Sequence, residues 1–279
     1  MTVKTINGIN YYYTKFYQTK KNGKRREINA PCINLKQKQH HLKSLLESDI
    51  ESILPDYIVG FRANYNLKIN GDKHLGKKWV INLDIKDFFP SINKEMLNNE
   101  LNCFETKLKD HGYIFNDFIE FVTLNSALPQ GSPISPLLSN YIGYKLIDRN
   151  VYPYLLKNLG NNFAYSRYAD DVTISVNCFN TRKEVQDFAT TIVKLIESNG
   201  FFKINQKKVN IMHRSQKQVV TGVTVNNKCS LGKKEKLKYR AIMHQVQANK
   251  IKMTDVLQGK LAYLKSVDPD YYYKLTKEI

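Results

Sequence analysis

The chain has 279 residues, 42% of them hydrophobic, and its 43 Lys and Arg against 25 Asp and Glu leave a net charge of +18. That length suits one large domain or two to three subdomains with a real core, and so large a positive excess favours a polyanionic partner, most simply nucleic acid. No stretch approaches the roughly 20 apolar residues of a membrane span, no apolar leader opens the chain, and Cys32, Cys103, Cys178 and Cys229 form no CxxC pair for zinc. The expectation is a soluble protein of a reducing, cytoplasmic compartment, without a membrane partner. The 18 Tyr and 13 Phe, interleaved with basic residues, suit stacking on bases and sugars.

In chain order, Lys20-Lys21-Asn22-Gly23-Lys24-Arg25-Arg26 reads as a basic hairpin tip able to grip phosphates, followed by a strand over Glu27 to Pro31. Leu35 to Leu54 carries helical spacing and stops at Pro55. Trp79 to Ile85 is a buried-type strand that carries Asp84 near its end and is stopped by Pro90. Ser91 or Asn93 can cap a helix from Lys94, and Phe115 to Leu124 reads as another. Gly131, Pro129, Pro133 and Pro136 force a loop before a helical Leu137 to Arg149. Phe163 to Arg167 and Val172 to Val176 read as a hairpin with Asp170 and Asp171 at its turn. A capping box at Thr181 opens a helix to Gly200, Val219 to Val225 reads as one strand, and a basic helical tail follows Gly232. This is an α+β chain around an antiparallel sheet. Two strands that deliver acids to one spot suit a pair of Mg²⁺ ions, which stabilise the attacking and leaving oxygens of a phosphoryl displacement.

The residues resemble those of bacterial reverse transcriptases, and within them the retron group, over nearly the whole chain. Lys24-Arg25-Arg26 resembles the first fingers motif, and Asp84-Ile85-Lys86-Asp87-Phe88-Phe89 resembles palm motif A. Leu128 to Pro136 resembles motif B, Tyr168-Ala169-Asp170-Asp171 motif C, and Asn205-Gln206-Lys207-Lys208 the lysine-bearing motif D. Asn70-Gly71-Asp72-Lys73-His74 is similar to the retron NAxxH element, with Gly in the Ala position, and Val220-Thr221-Gly222 matches the VTG element.

The resemblance implies a right-hand polymerase: fingers over 1–76, a palm over 77–225 with finger elements around 95–127, and a helical thumb over 226–279. It implies an RNA-directed DNA polymerase. Asp84 and Asp170 with the Ile85 carbonyl would ligate two Mg²⁺ ions (Mn²⁺ is the alternative), Asp171 being the least direct ligand. Lys24 and Arg26 would grip the dNTP triphosphate. Phe89 would exclude a 2′-hydroxyl, and Gln130 and Gly131 would line the nucleotide pocket. Lys208, or Lys207, would stand by the leaving group. Tyr168 would pack beneath the primer end, and Lys233 and Lys234 would face nucleic acid from the thumb. Asn70, His74, Val220, Thr221 and Gly222 would contact RNA, although a structural histidine is an equally good reading of His74. The implied partners are a cognate noncoding RNA, its RNA–DNA product (multicopy single-stranded DNA) and a separate effector protein of an antiphage system. The competing readings are a group II intron-like or diversity-generating enzyme, or a polymerase fold kept as an RNA-binding scaffold.

Overall fold

The computed structural model describes residues 1–19, 23, 25–248 and 250–277. The basic tip at Lys20, Lys21, Asn22 and Lys24 therefore lies outside the described residues.

An antiparallel sheet opens the chain in the order β1 (Thr2–Ile6), β2 (Ile9–Thr19), β3 (Arg25–Pro31). It packs on α1 (Ile33–Ile53), whose buried stripe is Leu35, Gln39, Leu42, Leu46 and Ile50, spaced at three and four residues as one helical face requires. Gln39, polar within that stripe, is satisfied by donating to the Phe121 carbonyl at 2.8 Å and accepting from the Ser132 hydroxyl at 2.9 Å.

The chain then makes α2 (Leu67–Asp72), β4 (Trp79–Asp84), α3 (Phe88–Ser91) and α4 (Lys94–Leu101). Asn93, not Ser91, caps α4 by accepting from the Met96 N–H at 3.0 Å. After α5 (Glu105–Asp110) and α6 (Phe115–Val122) comes α7 (Ser135–Gly143). A π-helical turn, Tyr144–Asp148, joins α7 to α8 (Arg149–Leu159), so the single helix expected to Arg149 is two helices around a widened turn.

The central sheet has the order β5-β6-β4-β7, from β5 (Phe163–Tyr168), β6 (Asp171–Val176) and β7 (Asn210–His213) around β4. Its register puts Asp84 opposite Asp171, Asn82 opposite Thr173 and Val80 opposite Ser175. Opposed residues share a face. One face is thus a polar row, while Ile81, Leu83, Val172 and Ile174 point the other way into the main core. α9 (Arg182–Glu197) packs beside the sheet and is capped by the Thr181 hydroxyl, which accepts from Glu184 N–H at 3.3 Å.

Val219 to Val225 is not one strand. β8 (Val219–Val220) turns back as β9 (Val223–Thr224), with Thr221 at φ +45° and Gly222 at φ +89° between them. Two left-handed residues in a two-residue loop match the twist of a tight hairpin. Its valines join a second core with Val80, Met212, Leu231 and residues of α10 (Lys233–Gln247), α11 (Asp255–Val267) and α12 (Pro269–Lys277). Among the described residues no helix is long and apolar enough to cross a membrane.

Candidate active site

β5 and β6 are joined by Ala169 and Asp170 alone, so Tyr168 and Asp171 are register partners across a two-residue turn. Ala169 is buried and left-handed, at φ +55°. Its neighbour Asp170 accepts from the Ile85 N–H through its backbone carbonyl at 2.8 Å. The turn is thereby sewn to the end of β4, where Asp84 lies opposite Asp171. Asp84, Asp170 and Asp171 come from positions up to 87 residues apart, and one pair of strand ends brings them together.

Charge at this spot is only partly compensated. Burial raises the Asp170 carboxyl, with the Asp84 charge adding to it and Arg26 and Lys208 opposing it. Burial, then the charges of Asp170 and Asp84, push Asp171 up to about 7. Lys208 donates to a carboxylate oxygen of Asp84. Burial works against the ammonium, but the Asp84 bond and the charges of Asp170 and Asp171 outweigh it and leave its pKa raised. Of the two lysines that the sequence left open, Lys208 is the one paired with Asp84.

Asp84, Ile85, Asp170, Lys208, Asn205, Arg26, Gln130 and Phe89 line one cleft of about 460 Å³. Oxygen donors of this kind suit a hard divalent cation. Among the described residues no three His, Cys, Asp or Glu side chains are drawn together tightly enough to hold an ion unaided. The donor set therefore fits an ion that takes further oxygens from a phosphate ligand. Asp171 is not among the residues that line this cleft.

Two neighbouring residues, Phe61 and Gly60, were not anticipated. Phe61 is half-exposed and left-handed, at φ +60°, and its ring centroid lies 6.1 Å from Phe89 and 6.0 Å from Tyr168. It continues the cleft wall between those two residues. Gly60 before it lies against motif C, since an added Cβ would stand 2.7 Å from the Ala169 nitrogen. Gly131, at φ +115°, is pressed on β3: an added Cβ would stand 2.7 Å from the Asn29 carbonyl oxygen. The close approach that demands glycine there is to the first sheet, with the Asn29 N–H donating to the Gln130 carbonyl at 2.7 Å. For Gly60 and Phe61 the only signal in the sequence was an aromatic following a glycine.

The remaining site residues separate into two places. Lys24 lies outside the described residues. Lys233 and Lys234 are exposed in the first turn of α10. Of the same basic run, Lys228, Lys236 and Lys238 pair with Asp270, Asp268 and Glu235, so part of that charge is neutralised within the chain.

Asn70 and Val220 correct the RNA-contact reading, and His74 takes its structural alternative, because all three are fully buried. The His74 ring shares hydrogen bonds with the Ser175 and Ser166 hydroxyls, both at 2.8 Å, and burial lowers its pKa to about 3. With both nitrogens occupied it ties α2 to β5 and β6, and it has no surface to offer RNA. Asn70 donates to the Thr221 hydroxyl at 3.1 Å, so the two retron-like elements touch each other. Gly71 replaces the family's Ala where an added Cβ would stand 2.8 Å from the Cys229 sulfur. Of these five residues only Thr221 and Gly222 reach the surface.

The reverse transcriptase (RNA-dependent DNA polymerase) family pattern matches residues 18–249. The chain belongs to that family. Within it the resemblance is to the retron group. The chain is 30% identical to the retron Ec73 reverse transcriptase of Escherichia coli, over 93% of this chain and 84% of that protein. It is 28% identical to the Ec86 enzyme of the same organism, over 99% and 84%. It is also 28% identical to the Mx65 enzyme of Myxococcus xanthus, over 95% of this chain but only 64% of that longer protein. Among solved structures, apo telomerase from Candida tropicalis superposes with a TM-score of 0.55 at 11% identity, covering 79% of this chain and 48% of that one. That likeness shares the polymerase fold.

Proposed function

We propose that this protein is an RNA-directed DNA polymerase that extends a primer 3′-hydroxyl with dNTPs on an RNA template. The observation that carries the reading is the register of β4 against β6, which opposes Asp84 to Asp171 and sets Asp170 in the adjoining turn beside Lys208.

Asp84, Asp170 and the Ile85 carbonyl would hold two Mg²⁺ ions. When bound, these ions lower the pKa of the attacking hydroxyl and neutralise the phosphates. The chain's own groups do the rest. Arg26 faces the cleft from β3 and grips the triphosphate. Lys208 sits where a cation or proton donor can meet the departing pyrophosphate. Phe89, braced by Phe61 and Phe88, forms the wall that leaves no room for a 2′-hydroxyl. Tyr168 offers a ring beneath the primer end.

The retron relatives support extending the reading. The template would be a cognate noncoding RNA, the product multicopy single-stranded DNA joined to it, and the setting a bacterial cytoplasm with a separate effector protein in antiphage defence. The Asn70–Thr221 contact supports a recognition role for the hairpin tip, with Thr221 and Gly222 presented to RNA and the buried residues holding them there.

Replacing Asp170→Asn together with Asp171→Asn should abolish dNTP incorporation while RNA binding survives. Full polymerisation by that variant would refute the assignment. Sequencing nucleic acid that copurifies with the protein tests the retron extension: a covalent RNA–DNA hybrid supports it, and its absence in an active preparation counts against it.

A further inference from the structure

Arg167, one residue before motif C, is fully buried. Its Nε donates to both carboxylate oxygens of Asp148, at 3.1 and 2.8 Å. Nη2 donates to the Asn140 carbonyl of α7 at 2.9 Å, and Nη1 donates to the Ala169 carbonyl at 3.3 Å. The guanidinium carbon stands 5.8 Å from the centre of the Phe88 ring. Asp148 also accepts from the Tyr165 hydroxyl, and the Asn140 amide donates to the Gly60 carbonyl at 2.6 Å. The Arg167 backbone is held as well: its N–H donates to Tyr57 O and its carbonyl accepts from Val59 N–H, both at 2.9 Å.

Stability alone gives a poor reason for such a group. A buried ion pair can often be exchanged for apolar side chains of similar volume with little loss. An apolar core cannot, however, donate hydrogen bonds to two chosen carbonyls. One of those carbonyls belongs to Ala169, whose left-handed backbone is disfavoured for an alanine and must be imposed by its surroundings. The next residue is Asp170. The neighbouring elements are shaped around the guanidinium: an added Cβ at Gly143 would stand 2.7 Å from its carbon, and the π turn after Gly143 delivers Asp148 to it.

We infer that Arg167 is a positioning residue for the catalytic turn, with Asp148 holding it in place. Through the Ala169 carbonyl it fixes the backbone that aims the Asp170 carboxylate. Through the Asn140 carbonyl it fixes the helix after the motif B loop relative to that turn. The inference rests on the polymerase reading, and it adds to that reading a buried fork that sets the spacing of the cation-holding acids.

The decisive variant is Arg167→Met with Asp148→Leu, which removes both charges together and strands neither. A second, Gly143→Ala, keeps both partners and only crowds the guanidinium. Four quantities are read: melting temperature, RNA primer–template affinity, kcat and KM for dNTP, and Mn²⁺ affinity by electron paramagnetic resonance on a primer lacking its 3′-hydroxyl. The double variant should fold and bind primer–template as the parent does, yet lose about 100-fold in kcat, the scale of a small misplacement of reacting groups. Its Mn²⁺ affinity should weaken about 10-fold, as when a supporting partner of a metal ligand is removed. Gly143→Ala should show both losses to a smaller degree, and it decides the matter if the double variant does not fold. Parental kcat and Mn²⁺ affinity in a folded variant would overturn the inference, as would losses that only track the folded fraction. Failure of the parent itself to incorporate dNTP would instead strike the polymerase reading.

Discussion

The polar face of the central sheet treats its two ends in opposite ways. At the buried end, Ser166 and Ser175 meet the His74 ring, and both ring nitrogens find a neutral hydroxyl. One step along, Thr173 donates to Asn82, whose amide donates to the Val219 carbonyl. At the open end, three carboxylates stand together with Lys208 and Arg26 to balance them. The same strands and the same register supply all three tiers. The lesson is that satisfied polar groups brace a fold, whereas charges gathered without sufficient partners prepare a place for a ligand.

The largest break in this contrast comes from the open end. Asp84→Asn should lower dNTP incorporation by about 1,000-fold or more, the scale lost when a central charge of a reacting site is removed, with primer–template affinity little changed. Filter binding and single-nucleotide extension measure the two separately. At the cleft wall, Phe89→Ala should admit rNTP while keeping dNTP use. Sugar selectivity equal to the parent's would remove the gate role.

Stability should respond to pH oppositely at the two ends. Asp171 is raised to about 7 in the folded chain from an ordinary value of 3.8. Its contribution is fully present below pH 3.8 and is lost as pH rises through 7. Asp171→Asn should therefore melt higher than the parent at pH 8, with the gain vanishing towards pH 4. His74 is lowered to about 3 from 6.5, so its contribution is present above pH 6.5 and declines as pH falls towards 3. The parent should lose stability on acidification below pH 6.5, by up to about 1.4 kcal/mol per pH unit for a single group. His74→Gln should flatten that part of the curve; an unchanged slope would place the lost proton elsewhere. The smallest effect concerns the hairpin tip: Thr221→Val should reduce use of a cognate RNA by several-fold and leave extension of a generic primer–template alone. Equal losses on both would mark a folding defect.

Much of this was legible in the sequence. The hairpin at Asp170, the strand read over Trp79 to Ile85 and found as Trp79–Asp84, and the helix read over Leu35 to Leu54 and found as Ile33–Ile53 all follow from period and turn chemistry that act locally. The alternation Asp171-Val172-Thr173-Ile174-Ser175-Val176 also announced a polar face, once β4 was known to lie beside it. What stayed hidden depends on distant partners. Val219 to Val225 reads as a continuous β run because nothing local demands a left-handed Thr221, a conformation that costs a β-branched residue about 1–2 kcal/mol. The Asn70 amide, reaching 151 positions along the chain, meets that turn. The sequence leaves His74 open between a binding and a structural role because its Ser166 and Ser175 partners lie 92 and 101 positions away. Arg167 passed unnoticed for the same reason: its partners come from α7, the π turn and motif C.

Asp84→Cys probes whether Asp84 holds a divalent cation where the primer is extended. A thiolate is a poor ligand for Mg²⁺ and a better one for softer ions. Extension should be lost in Mg²⁺ and return in part when Mn²⁺ or Cd²⁺ is supplied, with primer–template affinity constant throughout. Extension at the parental rate in Mg²⁺ alone would contradict it.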